Sequence, residues 1–96
     1  MRPSFTVLLT PRFERECKKL LSAHDDLAEH LLAAIRILSQ NPFNTGHTHA
    51  IKKLVNVPLG QAQFRFRSGR FRFRYDVEGQ TVYLKSCSLR REDTYR

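Results

Sequence analysis

Five arginines, Arg65, Arg67, Arg70, Arg72 and Arg74, fall within the segment FRFRSGRFRFRY from Phe64 to Tyr75, with no acidic residue among them. A guanidinium is a planar fork of donors that stays charged at ordinary pH and matches phosphate oxygens two at a time. Gathered on one surface, such forks hold a polyphosphate chain. Aimed at one phosphate, they neutralise the charge that builds up during displacement at phosphorus. The competing reading is a solvated charged face that discourages edge-to-edge aggregation of a sheet.

The element that must position these arginines is legible in the same residues. Aromatic or aliphatic residues alternate with arginine on both sides of Ser68-Gly69, the period of half-buried strands. Taking Ser68-Gly69 as a two-residue hairpin loop sets Arg67 opposite Arg70, Phe66 opposite Phe71, Arg65 opposite Arg72 and Phe64 opposite Phe73. One face is then aromatic, with Phe64, Phe66, Phe71, Phe73, Tyr75 and Val77 as core. The other is arginine, and like charges across a ladder repel by a few tenths to about 1 kcal/mol per pair. A surface selected only for folding has little reason to keep them, which favours an anion as the occupant.

The charge is lopsided along the chain. Of 17 Lys and Arg and 9 Asp and Glu, residues 1–50 hold six and five, and residues 51–96 hold eleven and four, so the net charge of +8 belongs to the second half. Such a field speeds encounter with nucleic acid or acidic peptides without choosing between them. The 96 residues suit one domain with one modest core. No apolar run approaches membrane-spanning length and the start carries no secretory pattern, so a cytoplasmic protein with no membrane partner is expected. Cys17 falls on an apolar helix face and Cys87 in a strand. A single disulfide is open on sequence, and two free thiols are the expectation.

Phe5, Val7 and Leu9 alternate with Thr6 and Leu8 as a first strand. Thr10-Pro11 reads as an N-cap followed by proline at the first helical position, and Phe13, Cys17, Leu20 and Leu21 repeat at helical spacing. Ser22 to Asp26 is a polar break with Asp25 or Asp26 as a cap. Leu27, Leu31, Ala34, Ile35 and Leu38 make a second helix, stopped by Asn41-Pro42. Residues 42–50 read as loop and 51–58 as an extended lead-in to the hairpin. After the Glu78-Gly79-Gln80 turn, Val82 and Leu84 alternate with Tyr83 and Lys85 in a last strand to about Ser88. The order is β-αα-βββ, an α+β domain with helices packed on one face of a mainly antiparallel sheet and the arginine face open.

His47 and His49 lie in a polar loop with no cysteine or carboxylate cluster beside them, too few ligands for zinc, so no metal is expected. His24 and His30 read as surface residues on the helical hairpin. Lys52 and Lys53 open the basic half and suit either phosphate contact or simple solvation. Phe43 and Tyr83 fit base stacking or core.

The chain resembles the RelE/ParE superfamily of toxins from toxin-antitoxin pairs. The resemblance spans nearly its whole length: a strand, an αα-hairpin ending at Asn41-Pro42, the Lys53-Leu54 pair, the hairpin of Phe64 to Tyr75 and the closing LRREDTYR. The hairpin carries it best, because members typically read aromatic-Arg-x-Arg-x-Gly-x-aromatic-Arg-x-x-Tyr, matched here at every position. Members often close with His-Arg and a Tyr four residues on; Arg91 and Tyr95 keep that spacing, with Arg90 in place of the His.

What the resemblance implies is a ribosome-dependent endoribonuclease that cuts messenger RNA in the ribosomal A site. It needs neither metal nor cofactor, and works by attack of a 2′-hydroxyl on the adjacent phosphate. Arg65, Arg67, Arg72, Arg91 and Tyr95 match the catalytic positions. Arg72 and Arg91 would bind the scissile phosphate, Arg65 the leaving-group side or a flanking phosphate, and Tyr95 would stack on a base, orient the 2′-hydroxyl or donate a proton. Arg67 stands where relatives carry lysine and cannot act as a base. Glu92 and Asp93 are the nearby carboxylates if a base is required. Lys52, Lys53, Arg70, Arg74 and Arg90 join the set as RNA-binding residues. The implied partners are the ribosome, mRNA and a cognate antitoxin protein, in a toxin-antitoxin hetero-oligomer. The alternatives are a ParE-like inhibitor of DNA gyrase and a catalytically inactive RNA-binding homologue.

Overall fold

The computed structural model describes residues 4–90, which form one five-stranded sheet and two helices. Strand β1 (Thr6–Leu9) leads into helix α1 (Pro11–Leu21), and helix α2 (Leu27–Leu38) follows. Strands β2 (Ile51–Lys53), β3 (Phe64–Ser68), β4 (Phe71–Glu78) and β5 (Thr81–Leu89) complete the chain order. In space the order is β1-β5-β4-β3-β2, antiparallel except for the parallel pair of β1 with β5. This is the α+β arrangement expected from the sequence. The lead-in at 51–58 is a strand only over its first three residues and then turns.

Thr10 caps α1 as expected. Its extended backbone lets its hydroxyl oxygen accept from the Phe13 N–H at 3.2 Å, while its own O–H donates to the Leu84 carbonyl of β5 at 2.9 Å. One threonine thus starts the helix and fixes it to the sheet. Asp26 occupies the N-cap position of α2 without a side-chain capping bond. Its carboxylate is directed elsewhere, as described below.

The core lies between the helices and one sheet face. Phe13, Leu27, Ala34 and Leu38 from the helices meet Phe64, Phe66, Phe71, Phe73, Tyr75, Val82, Leu84 and Cys87 from the strands. Phe64 stacks on Tyr75 and Phe71 on Phe73, with ring centroids 5.2 and 6.5 Å apart. Tyr75 is fully buried and donates its phenolic hydrogen to the Pro42 carbonyl at 2.6 Å, which ties the segment after α2 to the sheet. Among the described residues no helix is long and apolar enough to cross a membrane.

The hairpin register differs from the sequence expectation. The loop is Gly69-Arg70 rather than Ser68-Gly69, so Ser68 pairs with Phe71, Arg67 with Arg72, Phe66 with Phe73, Arg65 with Arg74 and Phe64 with Tyr75. A primed turn with glycine second also needs positive φ at its first loop residue. Glycine first, at φ +60°, needs it nowhere else, which is the II′ pattern. Moving the loop by one residue shifts each partner by two, so the two faces keep their composition.

A second irregularity lies in β5. Arg74 pairs with Ser86 but Tyr75 with Leu84, leaving Lys85 as the extra residue of a bulge. The bulge resets the alternation, so that Val82 and Leu84 before it and Cys87 and Leu89 after it all pack toward the helices.

Candidate functional site

The strand register assembles two cross-sheet rows on the face turned away from the helical core. One runs Lys52, Arg65, Arg74, Ser86 across β2, β3, β4 and β5; the other places Arg67 beside Arg72 and Ser88. Directly opposed residues on adjacent strands hold their Cβ atoms about 5 Å apart. Arg65, Arg67, Arg72 and Arg74 are each half-buried, their stems lying along the sheet. The Arg67 Nε is out of contact with solvent and has no hydrogen-bond partner among the described residues. Asp76 and Glu78 share this face by register in β4, and Asp76, the buried one, is already engaged.

Asp76 is 4% exposed. Its two oxygens accept from the backbone N–H groups of Ala62 and Gln63, both at 2.8 Å, and Lys85 Nζ lies 3.3 Å from Oδ2. The same loop gives its carbonyls to the cations: Gly60 accepts from Lys85 at 2.9 Å, and Ala62 and Gln61 accept from Arg74 Nη2 at 2.8 and 3.3 Å. A loop containing Ala62 at φ +64°, a left-handed conformation a residue with a Cβ adopts at a cost, is thereby clipped over one end of the arginine face. Arg74, grouped from the sequence with the RNA-binding residues, is committed to this clip. A cavity of about 190 Å³ remains beside it, bordered by Arg12, Arg74, Lys85 and Ser86.

The remaining expected residues separate. Lys52 shares the arginine face, whereas Lys53 pairs with Phe64 and so points to the helix side, its Nζ 5.9 Å from the Phe64 ring centre. Arg70, in the loop, turns toward α2, with Nε 3.6 Å from Asp26 Oδ2 and a terminal nitrogen 3.3 Å from His24 Nδ1. Arg90 sits at the same end, its N–H donating to the Arg70 carbonyl at 2.8 Å and its side chain to the Gly69 carbonyl at 3.0 Å. Arg91, Glu92, Asp93 and Tyr95 lie outside the described residues. Of the matched catalytic positions, the structure brings together Arg65, Arg67 and Arg72.

Three contacts escaped the sequence reading. His30 is not a plain surface residue: its Nδ1 lies 2.7 Å from Ser68 Oγ and its ring packs against Phe71, 5.4 Å between centres. Its place on the Leu27, Leu31, Ala34 stripe of α2 was a usable signal. Gly69 lies so close that a Cβ there would stand 2.5 Å from the His30 ring. Asp76, the one acid interrupting a run of arginine and aromatic residues, signalled its clip in the same way. His47 and His49 sit in a loop organised by Asn44, which accepts from the His49 N–H at 3.0 Å and donates to its carbonyl at 2.9 Å. Phe43 is half-exposed, with edge contacts to Phe5 and Phe64, and Tyr83 stands opposite Asp76.

Burial pushes the Tyr75 phenol well above its usual range. That keeps it a neutral donor to Pro42, a part of the scaffold and not of the arginine surface. Comparison with protein-family models, with curated proteins and with solved structures finds no match to this chain.

Proposed function

We propose that this chain is a RelE-like toxin, a ribosome-dependent endoribonuclease that cleaves mRNA in the A site. The observation that carries the reading is the gathering of Arg65, Arg67 and Arg72 on the sheet face opposite the helices, with Arg67 directly across from Arg72. Like charges set across a ladder repel. A phosphate between them converts the repulsion into attraction, because two guanidiniums then share one dianionic or developing oxyanion charge.

In this reading the 2′-oxygen attacks phosphorus, the 5′-oxygen departs with a proton, and the upstream fragment ends in a 2′,3′-cyclic phosphate. Arg72 with Arg91 neutralises the phosphorane, Arg65 holds the leaving-group side, and Arg67 stabilises the in-line geometry from the neighbouring position. Tyr95 orients the 2′-hydroxyl, stacks on a base or supplies the leaving-group proton. A cognate antitoxin would silence the chain by laying acidic side chains over Arg65, Arg67 and Arg72. The resemblance, the strand and helix order, and the convergence of three matched arginines on one face support it together.

The test is primer-extension mapping of an mRNA incubated with the purified chain, with and without ribosomes. Ribosome-dependent cuts inside the A-site codon that fall by about 100-fold or more in Arg72→Ala, Arg91→Ala and Tyr95→Ala are expected. No cut under any condition overturns the nuclease reading and turns attention to gyrase inhibition or to RNA binding without chemistry.

A further inference from the structure

Strand β1 ends at Leu9, opposite Leu84, so β5 has no strand on that side from Lys85 onward, and α1 takes the place: Glu16 Oε1 accepts the Cys87 backbone N–H at 2.9 Å. Arg12, one turn before Glu16 on α1, is thereby set at the corner of the sheet where the row Lys52, Arg65, Arg74, Ser86 ends. There Arg12, Arg74, Lys85 and Ser86, with the clip loop, border the cavity of about 190 Å³.

Two carboxylates touch these cations, and both are also engaged with backbone. Glu16 Oε2 lies 3.1 Å from Arg12 Nε while its other oxygen holds Cys87, and Asp76 binds the Ala62 and Gln63 N–H groups as well as Lys85. Three cations thus meet two carboxylates, with Arg65 beside Arg74 in the row, so the corner keeps a positive excess. Arg74 donates through Nη2 to the Ala62 and Gln61 carbonyls, yet its Nε is shut off from solvent and has no hydrogen-bond partner among the described residues. A buried donor without an acceptor costs free energy, and such a group commonly marks the place of a water or an ion.

We propose that this cavity is a phosphate-binding pocket. A phosphate supplies the negative charge and the acceptors that the corner lacks, taking donors from the Arg12 and Arg74 guanidiniums, the Lys85 ammonium and the Ser86 hydroxyl. Donors that arrive from a helix and two strands suit a tetrahedral ion better than a planar carboxylate. Arg12 also borders an open groove of about 550 Å³ along α1, with Arg15, Glu16, Lys18 and Lys19, which gives a chain of phosphates held at this corner a mainly basic path onward. The pocket does no chemistry, and Arg12, Lys85 and Ser86 have no part in the nuclease reading.

The test is a titration of the nitrogen-15-labelled chain with inorganic phosphate at constant ionic strength, followed by NMR on the Arg74 Nε–H and the Ser86 backbone N–H. Both signals are expected to move and to saturate. Arg12→Gln is expected to weaken binding by about 10-fold, the loss of one charge-assisted hydrogen bond. Arg36→Gln removes the same charge from the exposed last turn of α2 and is expected to change the affinity by less than about 2-fold, because salt screens a distant charge. The second ligand is a 2′-O-methyl RNA oligonucleotide without terminal phosphates, which attack by a 2′-oxygen cannot cut. Movement of the same two signals, with the same dependence on Arg12, assigns the pocket to a backbone phosphate; movement with inorganic phosphate only assigns it to a free one. Signals that drift without saturating, or an Arg12→Gln loss no larger than that of Arg36→Gln, overturn the pocket. Ser86→Ala, expected to weaken phosphate by about 3-fold, keeps the test decisive if Arg12→Gln proves misfolded, since an unchanged affinity in that folded chain overturns the pocket too. Cleavage is read separately by primer extension, so failure here leaves the nuclease reading standing, and the reverse.

Discussion

Arg67 and Arg72 face one another directly across β3 and β4, on the side of the sheet away from both helices. The Arg67 Nε is buried and has no hydrogen-bond partner among the described residues. Like charges directly across a ladder repel, and an anion set between two guanidiniums is attracted to both. Arg67→Gln is therefore expected to raise stability by a few tenths to about 1 kcal/mol in urea denaturation at low salt. The gain should shrink at high salt as screening weakens the repulsion, and RNA cleavage should fall by about 100-fold. A variant that loses stability would place Arg67 in the scaffold instead.

Asp76 holds the loop at 60–63 through two backbone N–H groups and Lys85. Asp76→Ala leaves those buried donors and the Lys85 ammonium without their acceptor, and is expected to cost about 3–5 kcal/mol. Lys85→Met should cost much less, because Lys85 is partly exposed and Asp76 keeps both N–H donors. Equilibrium unfolding of the two variants side by side checks the order; equal losses would refute the clip as drawn.

Gly69 combines a left-handed backbone at φ +60° with a Cβ position 2.5 Å from the His30 ring. Gly69→Ala is expected to destabilise by about 2 kcal/mol or more, the sum of backbone strain and the clash. His30→Ala removes the clash but not the strain. The double variant should therefore be more stable than the two single losses added together, a non-additivity that a double-mutant cycle measures.

Tyr75 carries a phenol whose pKa burial raises in the folded state. Above a pH of about 10 the unfolded chain releases this proton and the folded chain does not. The unfolded state then binds fewer protons, so stability falls as pH rises, by at most about 1.4 kcal/mol per unit from this group. Below that pH the contribution is fully present. Tyr75→Phe is expected to cost about 1–3 kcal/mol at neutral pH through the unsatisfied Pro42 carbonyl, and to show a shallower alkaline decline than the wild type in pH-dependent urea midpoints. Parallel declines would locate the alkaline loss elsewhere.

The period-two alternation of Phe64 to Val77 was enough to assign an aromatic core face and an arginine face, because side chains on a strand point alternately up and down whatever the partner strand does. Thr10-Pro11 and the apolar stripes of Phe13 to Leu21 and Leu27 to Leu38 likewise placed both helices, since capping and amphipathic spacing are local. The pairing register was not local. With Gly69 first in the turn, Ser68 stays in the strand, where it meets His30, a residue 38 positions away.

The tertiary structure alone decided which cations share a surface. The Lys85 bulge resets the pattern of β5, so strict alternation from Val82 would have turned Cys87 out and Ser86 and Ser88 in. Asp76 draws Arg74 and Lys85 into a loop clip, Asp26 and His24 draw Arg70 toward α2, and Phe64 takes Lys53 to the helix side. A basic composition establishes that a field exists; where each long side chain ends is set by the carboxylates, carbonyls and rings that folding brings within its reach. The alternation of residue types along the strand determined the arginine face. The contacts made across the fold selected Arg65, Arg67, Arg72 and Lys52 as the cations that it presents together.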